Sequence, residues 1–160
     1  MNERTLVPSA VNEQAFSPRF SHDGKRVAYS SWTRGGYRDV RVVDVASGRF
    51  WQVTRDVALD QQPSWSADDR YLFFTSDRTG IANVYAYDMA TARLRQVSNV
   101  ITGAYMPAPS PDGKTLAYVG YSADGFDLFS MPLDASSWLD PVDPPRYRAS
   151  PHPDPPLERW

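Results

Sequence analysis

The sequence predicts an all-β chain: a partial β-propeller of about three four-stranded antiparallel blades, followed by a Pro-rich C-terminal tail. Three observations carry that prediction. A motif recurs at Pro18, Pro63 and Pro107, spaced 45 and 44 residues apart. Each copy holds up to four short strand signals separated by turns, and an array of such units at that period reads as propeller blades. Composition agrees, since 13% aromatic residues and 14 prolines suit short strands and tight turns better than long helices.

Residues 1–14 read as a lead-in segment or a stray strand shared with a neighbouring unit. Blade 1 is expected over residues 15–58, blade 2 over 59–102 and blade 3 over 103–138. In each, the innermost strand carries Phe20, Trp65 or Pro109. Asp23-Gly24 and Asp112-Gly113 then form hairpin turns, where glycine accepts the positive φ. The middle copy has Asp69 in place of that glycine, which predicts a left-handed Asp69.

Second strands follow at Val27-Ala28-Tyr29, Tyr71-Leu72-Phe73-Phe74 and Leu116-Ala117-Tyr118-Val119. They are apolar on both faces, as a strand sandwiched between two blades should be. Third strands lie at Val40-Arg41-Val42-Val43, Val84-Tyr85-Ala86-Tyr87 and Leu128-Phe129-Ser130-Met131. Outer strands at Phe50-Trp51-Gln52-Val53 and Leu94-Arg95-Gln96-Val97 are more polar, as solvent-facing edges are. The third unit has no clear outer strand. Residues 71–74, with a copy on either side, should be the best-buried segment.

Residues 139–160 read as a linker or tail. Seven prolines fall between Pro141 and Trp160, and proline can neither ladder nor continue a helix.

The net charge of −2 gives no electrostatic case for nucleic acid. No run is long and apolar enough for direct membrane insertion, and no signal-peptide pattern opens the chain. Cysteine is absent, which excludes disulfides and thiolate chemistry and leaves the redox compartment open.

Phe20-Ser21-His22-Asp23-Gly24-Lys25, Trp65-Ser66-Ala67-Asp68-Asp69-Arg70 and Ser110-Pro111-Asp112-Gly113-Lys114 resemble the W-S-P-D-G-K signature of TolB-like β-propeller repeats. The likeness continues through Ser76-Asp77-Arg78-Thr79-Gly80 and Val84-Tyr85-Ala86-Tyr87-Asp88, and covers roughly residues 15–134. It implies a closed ring of about six blades, protein partners and a periplasmic location, with a cytoplasmic one left open. A three-blade arc would leave apolar end faces, with side chains such as Tyr29 or Tyr118, open to water. The first expectation is therefore a fragment of a longer propeller protein. The second is a homo-dimer in which two arcs complete a six-blade ring.

Catalysis lacks parts. The chain has no G-x-S-x-G elbow, and its histidines are His22, in a predicted turn, and His152, in the tail. Asp68-Asp69 and Asp124-Gly125 lack the alternating ligands of a calcium loop and read as turn-shaping residues, so neither metal nor cofactor is expected. The aromatics Trp51, Trp65, Tyr85, Tyr87 and Tyr118 read as inter-blade packing before they read as a stacking surface.

What remains is interaction. Propellers meet partners where inner strands begin, which selects Gln61, Gln62 and Tyr105 as candidate partner-binding residues. Arg78 joins them as a minority reading beside its first role as a loop brace. The leading expectation is a non-catalytic protein-interaction scaffold, similar to TolB-like envelope proteins. The alternatives are a gating propeller of a larger serine-peptidase-type enzyme, and a channel that binds a small molecule or glycan.

Overall fold

A computed structural model describes residues 3–143. The described residues form eleven strands in three antiparallel sheets: β1(Gln14–Phe20), β2(Arg26–Trp32), β3(Arg38–Asp44) and β4(Phe50–Gln52) make blade 1. Strands β5(Gln61–Trp65), β6(Tyr71–Ser76), β7(Asn83–Asp88) and β8(Arg93–Gln96) make blade 2, again paired in chain order. Blade 3 has three strands, β9(Ala104–Pro109), β10(Thr115–Ser122) and β11(Gly125–Pro132). Among the described residues it has no fourth.

The repeated turn is built the same way three times. Ser21, Ser66 and Ser110 each donate a hydroxyl to the aspartate two residues on, at 2.6 Å. Each hydroxyl also accepts the N–H that opens the second strand, at Arg26, Tyr71 or Thr115. The aspartate accepts a further main-chain N–H, from Lys25, Arg70 or Lys114. These bonds hold the Asp23, Asp68 and Asp112 carboxyls below their ordinary pKa, with the serine hydroxyl as the largest cause. Gly24 and Gly113 turn at φ 70°, and Asp69 takes the matching left-handed conformation at 57°, as expected from the sequence.

Two apolar layers join the blades. Ala28, Val40 and Val42 of blade 1 meet Trp65, Leu72, Phe74 and Tyr85 of blade 2. On the other side of blade 2, Phe73, Val84 and Ala86 meet Ala104 and Leu116 of blade 3. Leu72 and Phe74 thus face one neighbour and Phe73 the other, which is why residues 71–74 carry no polar alternation. Leu72, Phe73 and Phe74 are each at most 1% exposed.

The two end faces are unlike. On blade 1, Val27, Tyr29 and Val43 are buried beneath Leu6 and Val7 of the lead-in segment, so Tyr29 is covered, against expectation. On blade 3, Tyr118 points inward at blade 2 and stacks on Phe129 at 5.6 Å, so it too departs from expectation. The open face there carries Tyr121, Phe126 and Leu128, which alternate with the inward set along the paired strands β10 and β11. Trp51, on the outer strand β4, is 38% exposed and lies outside the two layers that join the blades.

Between β11 and residue 143 the chain does not add an outer strand to blade 3. A short 3-10 turn, Ala135–Ser137, capped by Asp134, sends it back across the joint with blade 2. Trp138 buries itself against Tyr71 and Phe73, with ring centroids 5.0 and 5.9 Å away. Leu139 then exchanges two 2.9 Å main-chain hydrogen bonds with Gln96, extending the edge of blade 2. The sequence reading placed residue 139 in the tail. Residues 144–160 of that tail, with His152, lie outside the described residues.

Candidate functional site

Each inner strand begins at the end of the blades that also bears the loops between second and third strands. Each has a bulge there, centred on a left-handed residue: Ser17 (φ 51°), Gln62 (φ 59°) and Met106 (φ 54°). The bulge lets neighbouring blades latch. The Gln62 N–H donates to Ser30 Oγ of blade 1 at 3.0 Å, and the Met106 N–H donates to Thr75 Oγ1 of blade 2 at 3.2 Å. Gln62 Oε1 accepts from Thr75 and from the Met106 N–H, so its main-chain N–H reaches blade 1 and its side chain reaches blade 3 at the rim.

Gln61 stands beside this latch, half-buried. Its Oε1 accepts from Arg38 Nη1, whose guanidinium lies 4.6 Å over the Trp32 ring. Phe16 meets Trp32 edge-on with centroids 5.7 Å apart. Together with Ser30 and Gln62 these side chains line a notch of about 190 Å³ between blades 1 and 2. Gln61 and Gln62 therefore share one site. Tyr105 lies on blade 3 instead, packed edge-on against Phe126 at 6.2 Å.

Arg78 is elsewhere. It is 5% exposed, and Nη2 donates to both Asp60 oxygens at 3.2 and 3.3 Å and lies 3.4 Å from Asp56. Its guanidinium also covers the Tyr85 ring at 4.8 Å. The structure makes it an interior brace, which corrects the minority reading of a partner contact. Asp77 braces the same loop by accepting the Leu59 N–H at 2.7 Å. Burial outweighs the attraction of Arg78 and pushes the Asp60 carboxyl up to about 6.

The sequence reading missed Phe16, Trp32 and Arg38. The repeat itself held the signal. Phe16, Gln61 and Tyr105 are equivalent positions, as are Trp32, Asp77 and Tyr121, and Arg38, Ala82 and Phe126, all at spacings of 44 or 45. His22, the one described histidine, lies at the opposite end of the blade, 3.1 Å from Asp69. No group of three metal-ligating side chains occurs among the described residues. No helix there is long and apolar enough to cross a membrane.

Residues 2–140 match the family described as TolB beta propeller domain. The chain belongs to that family. An uncharacterized protein of Agrobacterium fabrum is 30% identical over 108 residues, covering 68% of this chain and 36% of the relative. The Tol-Pal system protein TolB of Francisella tularensis is 35% identical over 78 residues, 47% of this chain and 18% of its own length. The chain thus spans about a third or less of the length of these relatives.

Solved structures agree on the fold. TolB from Acinetobacter baumannii superposes with a TM-score of 0.66 at 22% identity, over 78% of this chain and 31% of that one. A Mycobacterium tuberculosis puromycin-hydrolyzing peptidase gives 0.64 at 22% identity, over 86% of this chain and 23% of that one. TolB-type propellers and peptidase-type propellers are both neighbours.

Proposed function

We propose that this chain is a non-catalytic protein-interaction scaffold whose contact surface is the loop-bearing rim of the blades. The observation that carries the reading is the notch. Gln61 and Gln62 meet an exposed aromatic pair and an arginine there, the mixture of rigid aromatic and polar groups that recurs at interface anchors. Tyr105 and the 56%-exposed Met106 continue the same rim on blade 3. The family's TolB members support a protein partner and, by analogy, a periplasmic setting.

A displayed peptide library selected against the immobilised chain tests this. Peptides recovered should bind more weakly to the Gln61→Ala and Tyr105→Ala variants. Binders indifferent to both substitutions would place the contact elsewhere and sink the reading.

The likeness to a peptidase over 86% of the chain favours a second reading, a gating propeller of a larger serine-peptidase-type enzyme. An in-frame G-x-S-x-G domain in the coding sequence beyond Trp160 would establish that reading at the expense of the first.

A further inference from the structure

We propose that the notch between blades 1 and 2 is a carboxylate site, holding a peptide carboxylate on Arg38 with its apolar neighbour against Phe16 and Trp32. The proposal rests on the interaction reading above and names the chemistry of its ligand.

Arg38 is the first reason. Arg41 is paired with Glu13 at 3.2 Å, Arg70 with Asp88 at 3.1 Å, and Arg78 with Asp60. Arg38 is half-buried, between the buried Arg41 and Arg78 and the exposed Arg70, yet it has no carboxylate partner among the described residues. A guanidinium has five N–H donors in a planar fork suited to bidentate contact with a carboxylate. Gln61 engages Nη1, and the Trp32 ring fixes the plane of the fork.

The apolar half of the site is the second reason. Phe16 and Trp32 are 42% and 36% exposed, although their edge-on pairing makes them a fixed surface rather than loose side chains. A volume of about 190 Å³ admits one phenyl-sized group, since roughly 150 Å³ holds a benzene molecule. Cation and aromatic wall are both already in place, so binding orders little that is not ordered beforehand.

Comparison between repeats is the third. Blade 2 has Gln61, Asp77 and Ala82 at the three equivalent positions, and blade 3 has Tyr105, Tyr121 and Phe126. Of the three blades, blade 1 alone joins an aromatic pair to a cation. Repeat architecture explains an aromatic at these places. It does not ask for the arginine.

The test uses the full 160-residue chain and fluorescein-labelled peptides ending in Leu-Phe, followed by anisotropy. One carries a free C-terminus, one a C-terminal amide, and a third is amidated with Glu before the final Phe. The free acid should bind at least about tenfold more tightly than its amide. Arg38→Gln should reduce the free acid to the level of the amide, whereas Trp32→Leu should weaken acid and amide by the same factor. Binding of the Glu peptide in place of the free acid supports the same site with a side chain as the source of the carboxylate.

Equal affinity of all three peptides, no binding of any of them, or a carboxylate preference that survives Arg38→Gln overturns the proposal. Should Arg38→Gln fail to fold, added salt serves instead, because a preference resting on this ion pair must shrink as salt rises. Display-selected peptides that bind the rim regardless of carboxylate and of Arg38 would leave the interaction reading standing and remove this site alone.

Discussion

The Asp69 carboxylate, in the hairpin turn of blade 2, accepts the main-chain N–H of His22 in the turn of blade 1, at 2.7 Å. Its second oxygen accepts the Asp23 N–H at 2.9 Å, and His22 Nδ1 lies 3.1 Å from the first. The position that other copies give to glycine here becomes a clip between blades. Asp69→Ala should lower stability by about 2 kcal/mol, through lost charge-assisted hydrogen bonds together with an alanine held at positive φ. Asp69→Gly loses the same bonds without the backbone cost and should be milder by about 1 kcal/mol. Urea unfolding of the two variants measures both contributions; equal loss would deny any backbone part.

Asp60 and the turn aspartates pull stability in opposite directions with pH. Asp60 is fully buried and its carboxyl is raised to about 6, so between that value and roughly 4 the folded state binds a proton the unfolded state does not. Stability from this group therefore rises as pH falls from 7 to 5. Asp23, Asp68 and Asp112 are lowered, so their contribution is full above the ordinary carboxylate value and disappears as pH falls through their folded values. The unfolding midpoint should be highest near pH 5 and fall steeply below 4. Asp60→Asn should abolish the rise and keep the acid fall.

Arg78 holds that acid in place. Removing it leaves Asp60 buried without its cation, and breaking a buried pair in this way costs about 3–5 kcal/mol. Arg78→Met should therefore be strongly destabilising at pH 7 and less so at pH 5, where Asp60 takes up a proton. A penalty that does not change with pH would mean that lost packing on Tyr85, rather than charge, sets the cost.

Much of this arrangement is legible in the sequence because it is repeated. Ser-x-Asp turns, strand order and the burial of residues 71–74 recur, and each copy checks the others. Features used once leave no such trace. Trp138 follows a stretch in which the pattern has dissolved, and nothing in Ser136-Ser137-Trp138-Leu139 announces a return to blade 2. Leu6 and Val7 are two apolar residues ahead of the first repeat, too few to show a period. Arg38 opens a strand of otherwise structural residues, and only its place over Trp32 sets it apart.

The return segment invites a test of its own. Trp138 is 6% exposed, and truncating a buried tryptophan costs about 3–5 kcal/mol. Trp138→Ala should therefore open the joint between blades 2 and 3. Its buried Nε1 has no hydrogen-bond partner, so the indole contributes here as an apolar ring. Trp138→Phe leaves a smaller cavity and should accordingly lose clearly less than the alanine variant. A phenylalanine variant as unstable as the alanine one would mean that the indole N–H has a role in the fold.

The unlike end faces bear on self-association. A six-blade ring from two copies needs the open face of blade 3 to meet blade 1 of the partner, where Leu6 and Val7 already sit. Phe126 and Leu128 are 68% and 78% exposed on blade 3, beside an edge strand whose main-chain groups are free to pair. Contact through blade 3 alone, two-fold and self-complementary, leaves the lead-in segment undisturbed. Sedimentation velocity should show association that grows with concentration and is suppressed by Leu128→Glu. Leu6→Asp should leave it unchanged, because the lead-in segment takes no part. Loss of association in the Leu6 variant with none in the Leu128 variant would instead place blade 1 in the interface and restore the closed ring.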